Sequence, residues 1–79
     1  MKEICSVAIG NDYLEDRYTF YSNGMIQHMY DESIFNYGLM DWVQPGDIDN
    51  YVKRRILKKC ENKHKKSVRQ ILAFNLRMN

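Results

Sequence analysis

What this chain lacks narrows its class before anything it contains does. It has one proline, two cysteines and four glycines in 79 residues, and no apolar run approaching the roughly 20 residues of a spanning helix. With one proline, 44% apolar residues and 28% charged residues, the composition is that of a chain that folds rather than a disordered one. Two cysteines are fewer than small disulfide-dependent secreted domains use. Cys5 and Cys60 are therefore expected as free thiols acting as small apolar residues. The start of the chain does not read as a secretory signal: the apolar stretch after Lys2 runs only from Ile4 to Ile9, contains Ser6, and meets Asn11-Asp12 at once. The expected location is cytoplasmic, with no membrane partner.

Recognisable chemistry is scarce too. No catalytic or cofactor motif is present, no Cys-x-x-Cys pair occurs, and the acidic residues do not follow the Asp-x-Asp-x-Asp-Gly spacing of a calcium loop. Cys5, His28, Cys60 and His64 are zinc-ligand types, but only Cys60 and His64 are close in sequence. A Cys-His nucleophile pair would also need an oriented base and an oxyanion site, and no residue pattern here identifies either. The expectation is a protein that is not an enzyme and holds no metal or cofactor.

What is present in quantity is charge, and it is sorted. Before position 53 there are nine acidic residues against Lys2 and Arg17; from position 53 onward there are ten basic residues against Glu61. The formal net charge of +2 hides this dipole. Such asymmetry points to charged partners, to nucleic acid, or to two halves that neutralise each other. At this length there is room for one domain, which buries only about 60 to 65% of the surface its unfolded chain would expose.

Local patterns divide that domain into an acidic part, residues 1–46, and a basic helical part, residues 47–79. The β-branched run from Glu3 to Ile9 reads as a strand ending at the turn signal Gly10-Asn11-Asp12. Residues 17–30 hold two aromatic and β-branched runs around Asn23-Gly24, the strongest short-range hairpin signal. A two-residue Asn23-Gly24 loop would set Asp16 against Asp31 and Glu15 against Glu32, which like-charge repulsion disfavours. A three-residue loop, Ser22-Asn23-Gly24 with a bulge at Gly24, instead pairs Phe20 with Ile26 and Tyr18 with His28. It gathers Tyr18, Phe20, Ile26 and Tyr30 on one face.

Ser33 to Val43 matches neither the strand nor the helix period, and Gly38 interrupts it, so it is expected as a connector whose aromatics cover the sheet. Pro45-Gly46 then precedes a helix from Ile48 to about Cys60, capped by Asp47 with Asp49 in its first turn. Polar Asn62 to Lys66 predicts a break. Ser67-Val68-Arg69-Gln70 fits a capping box opening a second helix, with Val68, Ile71, Leu72 and Leu76 on one face and Phe74 and Met78 at its edge. The expected fold is α+β, a three-stranded antiparallel sheet (β-β-β) followed by two C-terminal helices packed on one face.

Three surfaces are candidate sites. The basic segment, Lys53, Arg54, Lys58, Lys59, Lys63, Lys65, Lys66 and Arg69, could meet nucleic acid or an acidic partner. On the first helix its charges scatter around the circumference, which favours a solvated surface over a narrow groove-reading stripe. A helix-turn-helix reading fits poorly, because the second helix spends most of its positions on apolar residues. The acidic residues Asp12, Glu15, Asp16, Asp31 and Glu32 should meet at the hairpin's open end. There they would contact a basic partner or stand in for phosphates, against the plainer role of blunting a sheet edge. Tyr21, Met25 and Met29 fall on the sheet face that the helices leave open, a surface suited to protein association. The favoured function is a small non-enzymatic binding protein that engages a macromolecular partner through its charged surfaces and open sheet face. A stoichiometric inhibitor of a nucleic-acid-handling enzyme is one form of this, and a homodimer is another. The alternative is direct RNA or DNA binding through the basic helical segment.

Overall fold

The computed structural model describes residues 2–11 and 13–73. Four strands, β1 (Glu3–Ala8), β2 (Asp16–Tyr21), β3 (Ile26–Tyr30) and β4 (Leu39–Val43), form one antiparallel sheet in the order β1-β2-β3-β4. A 3-10 turn at Pro45–Asp47 leads into two helices, α1 (Asn50–Lys59) and α2 (Asn62–Leu72). The α+β class and the two C-terminal helices agree with the sequence; the sheet has four strands where three were expected.

The connector expected over Ser33 to Val43 contains the fourth strand. Leu39, Asp41 and Val43 of β4 pair with Tyr30, His28 and Ile26 on the face the helices occupy, while Met40 and Trp42 pair with Met29 and Gln27 on the other. Apolar residues thus fall on both faces, and the strand's one charge lies on the inner face. Alternation, the usual signature of a half-buried strand, is erased.

The central hairpin takes the three-residue loop. Tyr18 faces His28 and Phe20 faces Ile26, the Gly24 N–H donates to the Tyr21 carbonyl at 2.9 Å, and the Tyr21 N–H donates to the Met25 carbonyl at 3.0 Å. Gly24 holds φ at +90°, a conformation that costs L side chains and suits glycine at the bulge. A different constraint applies at Gly10, where a Cβ would lie 2.4 Å from the Leu14 carbonyl oxygen and 2.8 Å from the Asp16 nitrogen. This tight loop returns the chain from β1 to β2, and the Asn11 side chain braces it by accepting the N–H groups of Tyr13 and Leu14, each at 2.9 Å.

The inner face of the sheet supplies Val7, Ile9, Tyr18, Phe20 and Ile26 to a core completed by Ile48, Ile56, Leu57, Cys60, Val68 and Leu72. Cys5, Val43, Val52 and Ile71 pack at its margin. Helix α1 starts later than expected: Asp47 belongs to the 3-10 turn, and Asp49 occupies the cap position without a side-chain cap hydrogen bond. Helix α2 starts earlier. Its cap is Glu61, so Lys63 to Lys66 are helical and Ser67 lies inside the helix instead of opening it. Only Cys60 and Glu61, both with extended backbone, separate the helices. Buried Val68 and Leu72 hold α2 on the core, and Ala73, with φ of 55°, ends it in the left-handed region. The expected continuation through Phe74, Leu76 and Met78 lies outside the described residues, as does Asp12.

Candidate functional site

Both helices pack on one side of the sheet, so the opposite face has no covering layer among the described residues. Its two halves differ. Across β1 and β2 it is polar and internally bonded: the Ser6 and Thr19 hydroxyls lie 3.0 Å apart, and Arg17 reaches the Ser6 hydroxyl at 3.2 Å and Glu15 at 2.9 Å. Across β3 and β4 it is mostly apolar, with Gln27 opposite Trp42 as the polar exception. Met25, Met29, Met40 and Trp42 are 41%, 38%, 46% and 44% exposed, and the Tyr21 ring tilts against Trp42 with centroids 5.7 Å apart. Tyr21, Met25 and Met29 thus stand where the sequence placed them. Met40 and Trp42 were missed because their strand was. Beyond the end of this face, the loop between β3 and β4 adds the exposed side chains Ile34, Phe35 and Tyr37. Monomeric soluble proteins rarely show large contiguous apolar patches, and methionine suits such a surface because its flexible thioether repacks against varied shapes.

The acidic residues come together only in part. Glu15, Asp16 and Asp31 line a hollow of about 300 Å³ together with Arg55 of α1, whose guanidinium donates to the Ile9 carbonyl at 2.9 Å. Asp31 is a structural tie. Its carboxylate accepts the N–H groups of Glu15 at 2.9 Å and Gly38 at 2.8 Å, which holds its pKa below the ordinary aspartate value. Glu32 instead accepts from the Asn36 side chain at 2.7 Å. Among the described residues, no ion pair joins the acidic cluster to a base of either helix. The acidic cluster therefore meets the basic segment at Arg55 without an ion pair.

Asp16 also serves the inner face, where its carboxylate lies 2.6 Å from His28 Nε2. The His28 ring is sandwiched between Tyr18 at 4.2 Å and Tyr30 at 4.5 Å, and Tyr30 donates its hydroxyl proton to Asp41 at 3.0 Å. That hydrogen bond raises the Tyr30 pKa; burial, helped by Asp16 and Asp49, pushes Tyr18 up to about 12. The ladder explains how a histidine and two carboxylates sit on the inner face: His28 pairs with Asp16 and stacks on Tyr18 at the edge of the core, and Asp41 accepts from Tyr30.

Of the basic residues, Lys53 is only 8% exposed, Lys65 is half-buried, and Arg54, Lys58, Lys59, Lys63, Lys66 and Arg69 are exposed. Successive turns of α1 place Tyr51, Arg55, Lys58 and Lys59 around a shallow surface hollow of about 620 Å³. Among the described residues, no group of three or more His, Cys, Asp or Glu side chains could hold a metal ion, and no helix is long and apolar enough to cross a membrane. The chain matches no family model, no curated protein and no solved structure.

Proposed function

We propose that this chain is a small protein-binding domain that docks through the open face of its sheet, with Trp42, Met40, Met29, Met25 and Tyr21 as the contact. The observation that carries this reading is the group of part-exposed apolar side chains across β3 and β4, interrupted by Gln27, beside the polar, self-bonded half of the same face. Aromatic residues and methionine are enriched in interface cores, and a central tryptophan is the commonest kind of energetic anchor. The flanking acidic hollow and the exposed bases of α1 and α2 would steer the encounter and select the partner more than hold it. No pair of reactive groups is needed, and the protein acts by occupancy, as a stoichiometric inhibitor does.

The test is affinity capture from cells that make the protein, comparing wild type with Trp42→Lys and Met29→Lys. The same captured protein should be lost from both variants while their circular dichroism remains native. Unchanged capture by both would refute the reading. Direct nucleic-acid binding is the second reading, supported by the exposed Tyr51 with Arg55, Lys58 and Lys59 on one helix face: an aromatic ring for stacking beside cations for phosphates. Salt-titrated binding separates the two, because a nucleic-acid binder loses affinity steeply with salt and on Lys58→Glu and Lys59→Glu substitution.

A further inference from the structure

The two cysteines are far apart in sequence and adjacent in space. Cys5 lies on β1, just after the irregularity in its pairing with β2, and Cys60 is the residue that ends α1. Each thiol lies within electrostatic reach of the other. Both line a cleft of about 410 Å³ between the edge strand and the joint of the helices, which Lys59, Glu61, His64 and Glu3 also border. Cys60 belongs to the core and Cys5 packs against it, so the backbone on each side is fixed by neighbouring apolar contacts. Two thiols that line one open cleft differ from a pair of inert core cysteines in one respect: Cys5 is part-exposed, so an external sulfur compound can reach it, while Cys60 is buried.

We propose that Cys5 and Cys60 form a dithiol that exchanges with small-molecule disulfides, closing to an intrachain disulfide that ties β1 to the α1–α2 joint. The site stands independently of the protein-binding reading, since the open sheet face lies on the other side of the sheet. The exchange proceeds in two steps. The Cys5 sulfur, on losing its proton, attacks one sulfur of the disulfide R–S–S–R; the S–S bond breaks, and one R–S⁻ leaves and takes up a proton. The Cys60 sulfur, on losing its proton, then attacks Cys5 Sγ in the mixed disulfide and expels the second R–S⁻, which is protonated in turn. Two protein thiols are oxidised by two electrons, and one disulfide is reduced to two thiols. The order follows from exposure, since Cys5 is part-exposed and Cys60 is buried. Burial, with the adjacent Cys60 and the Glu3 and Glu61 carboxylates, pushes the Cys5 thiol up to about 12, so the exchange should quicken as pH rises.

The experiment uses the full chain, reduced and then equilibrated anaerobically in glutathione buffers of increasing oxidised fraction. The expected product is a monomer lighter by two hydrogen atoms, with neither thiol open to alkylation and one cross-linked peptide joining the segments around Cys5 and Cys60. Reductant should reverse it. Closing a ring of this size should raise the folding equilibrium constant on the order of a thousandfold in denaturant titration. Cys60→Ser should stop at a single glutathione adduct. The proposal is overturned if wild type keeps both thiols alkylatable in the most oxidising buffer, if it gives only adducts or interchain dimers, or if the cross-linked form is less stable than the reduced one. The wild-type measurement stands even where a serine variant fails to fold.

Discussion

Removing an aromatic ring from each face of the sheet tests how the two faces differ. Phe20 is fully buried at the centre of the inner face, and Trp42 is 44% exposed on the outer one. A buried aromatic side chain removes roughly 150 to 250 Å² from water, worth about 4 to 6 kcal/mol at ~25 cal/mol per Å². Phe→Ala changes in cores cost about 3 to 5 kcal/mol. Stability at roughly 0.05 to 0.15 kcal/mol per residue gives about 4 to 12 kcal/mol for this chain. Phe20→Ala should therefore leave a protein near the limit of folding. Trp42 packs on one side only, with Tyr21 as its aromatic neighbour, and such a ring pair is worth about 0.5 to 1.5 kcal/mol. With the modest extra area it covers, Trp42→Ala should cost no more than about 2 kcal/mol. Urea denaturation followed by far-ultraviolet circular dichroism at two protein concentrations measures both. If Trp42→Ala costs as much as Phe20→Ala at either concentration, the outer face is part of the monomer's core and the description of two unlike faces is wrong. A wild-type midpoint that rises with protein concentration, and stops rising in Trp42→Ala, would identify a second copy of the chain as the occupant of this face.

Two ionisable groups predict the response to pH. Asp31 has a folded pKa below its unfolded value, so its contribution is present at neutral pH and is lost as pH falls through the ordinary aspartate range and below. Asp31→Ala should lower the melting temperature at pH 7, with the difference from wild type shrinking in strong acid; a difference independent of pH would show that its hydrogen bonds to Glu15 and Gly38 are not what matters. Tyr18 has the opposite placement. Its pKa is raised from 10 to about 12 in the fold, so the folded state holds the phenolic proton where the unfolded chain has lost it, and stability should decline between those two values. Tyrosinate absorbance should show late titration from Tyr18 and Tyr30, and Tyr18→Phe should remove its latest part together with part of the alkaline loss of stability; an unchanged titration would refute the assignment.

How much of this could be seen in the sequence depends on how local the signal is. The central hairpin was legible to the residue, because Asn23-Gly24 marks the turn and the repulsion of Asp16 from Asp31 rejects the competing register. β4 was not, since Met40 and Trp42 make its outer face apolar while Asp41 sits inside as the acceptor for Tyr30. The joint between the helices was misplaced because Cys60 and Glu61 carry no glycine or proline to announce it, and the polar run after them is the first part of α2. The candidate surface was half visible for the same reason: Tyr21, Met25 and Met29 come from the recognised hairpin, and Met40 and Trp42 come from the unrecognised strand. The meeting of Cys5 with Cys60 leaves no trace in local pattern at all. It arises from α1 folding back along β1, the same return that brings Arg55 to the Ile9 carbonyl.

That return has a kinetic consequence. Every strand of the sheet pairs with its neighbour in sequence, so β1 to β4 can zip together as a series of short-range closures, each fast and cheap in loop entropy. The helices are different: the arginine that bonds Ile9 is 46 positions away from it along the chain. Docking α1 and α2 onto β1 is thus the step that must wait for chain ends to find each other, and changes at Ile56 or Val68 should slow folding less than they speed unfolding. The sheet with its open face should therefore assemble first, and the helical layer should let go first.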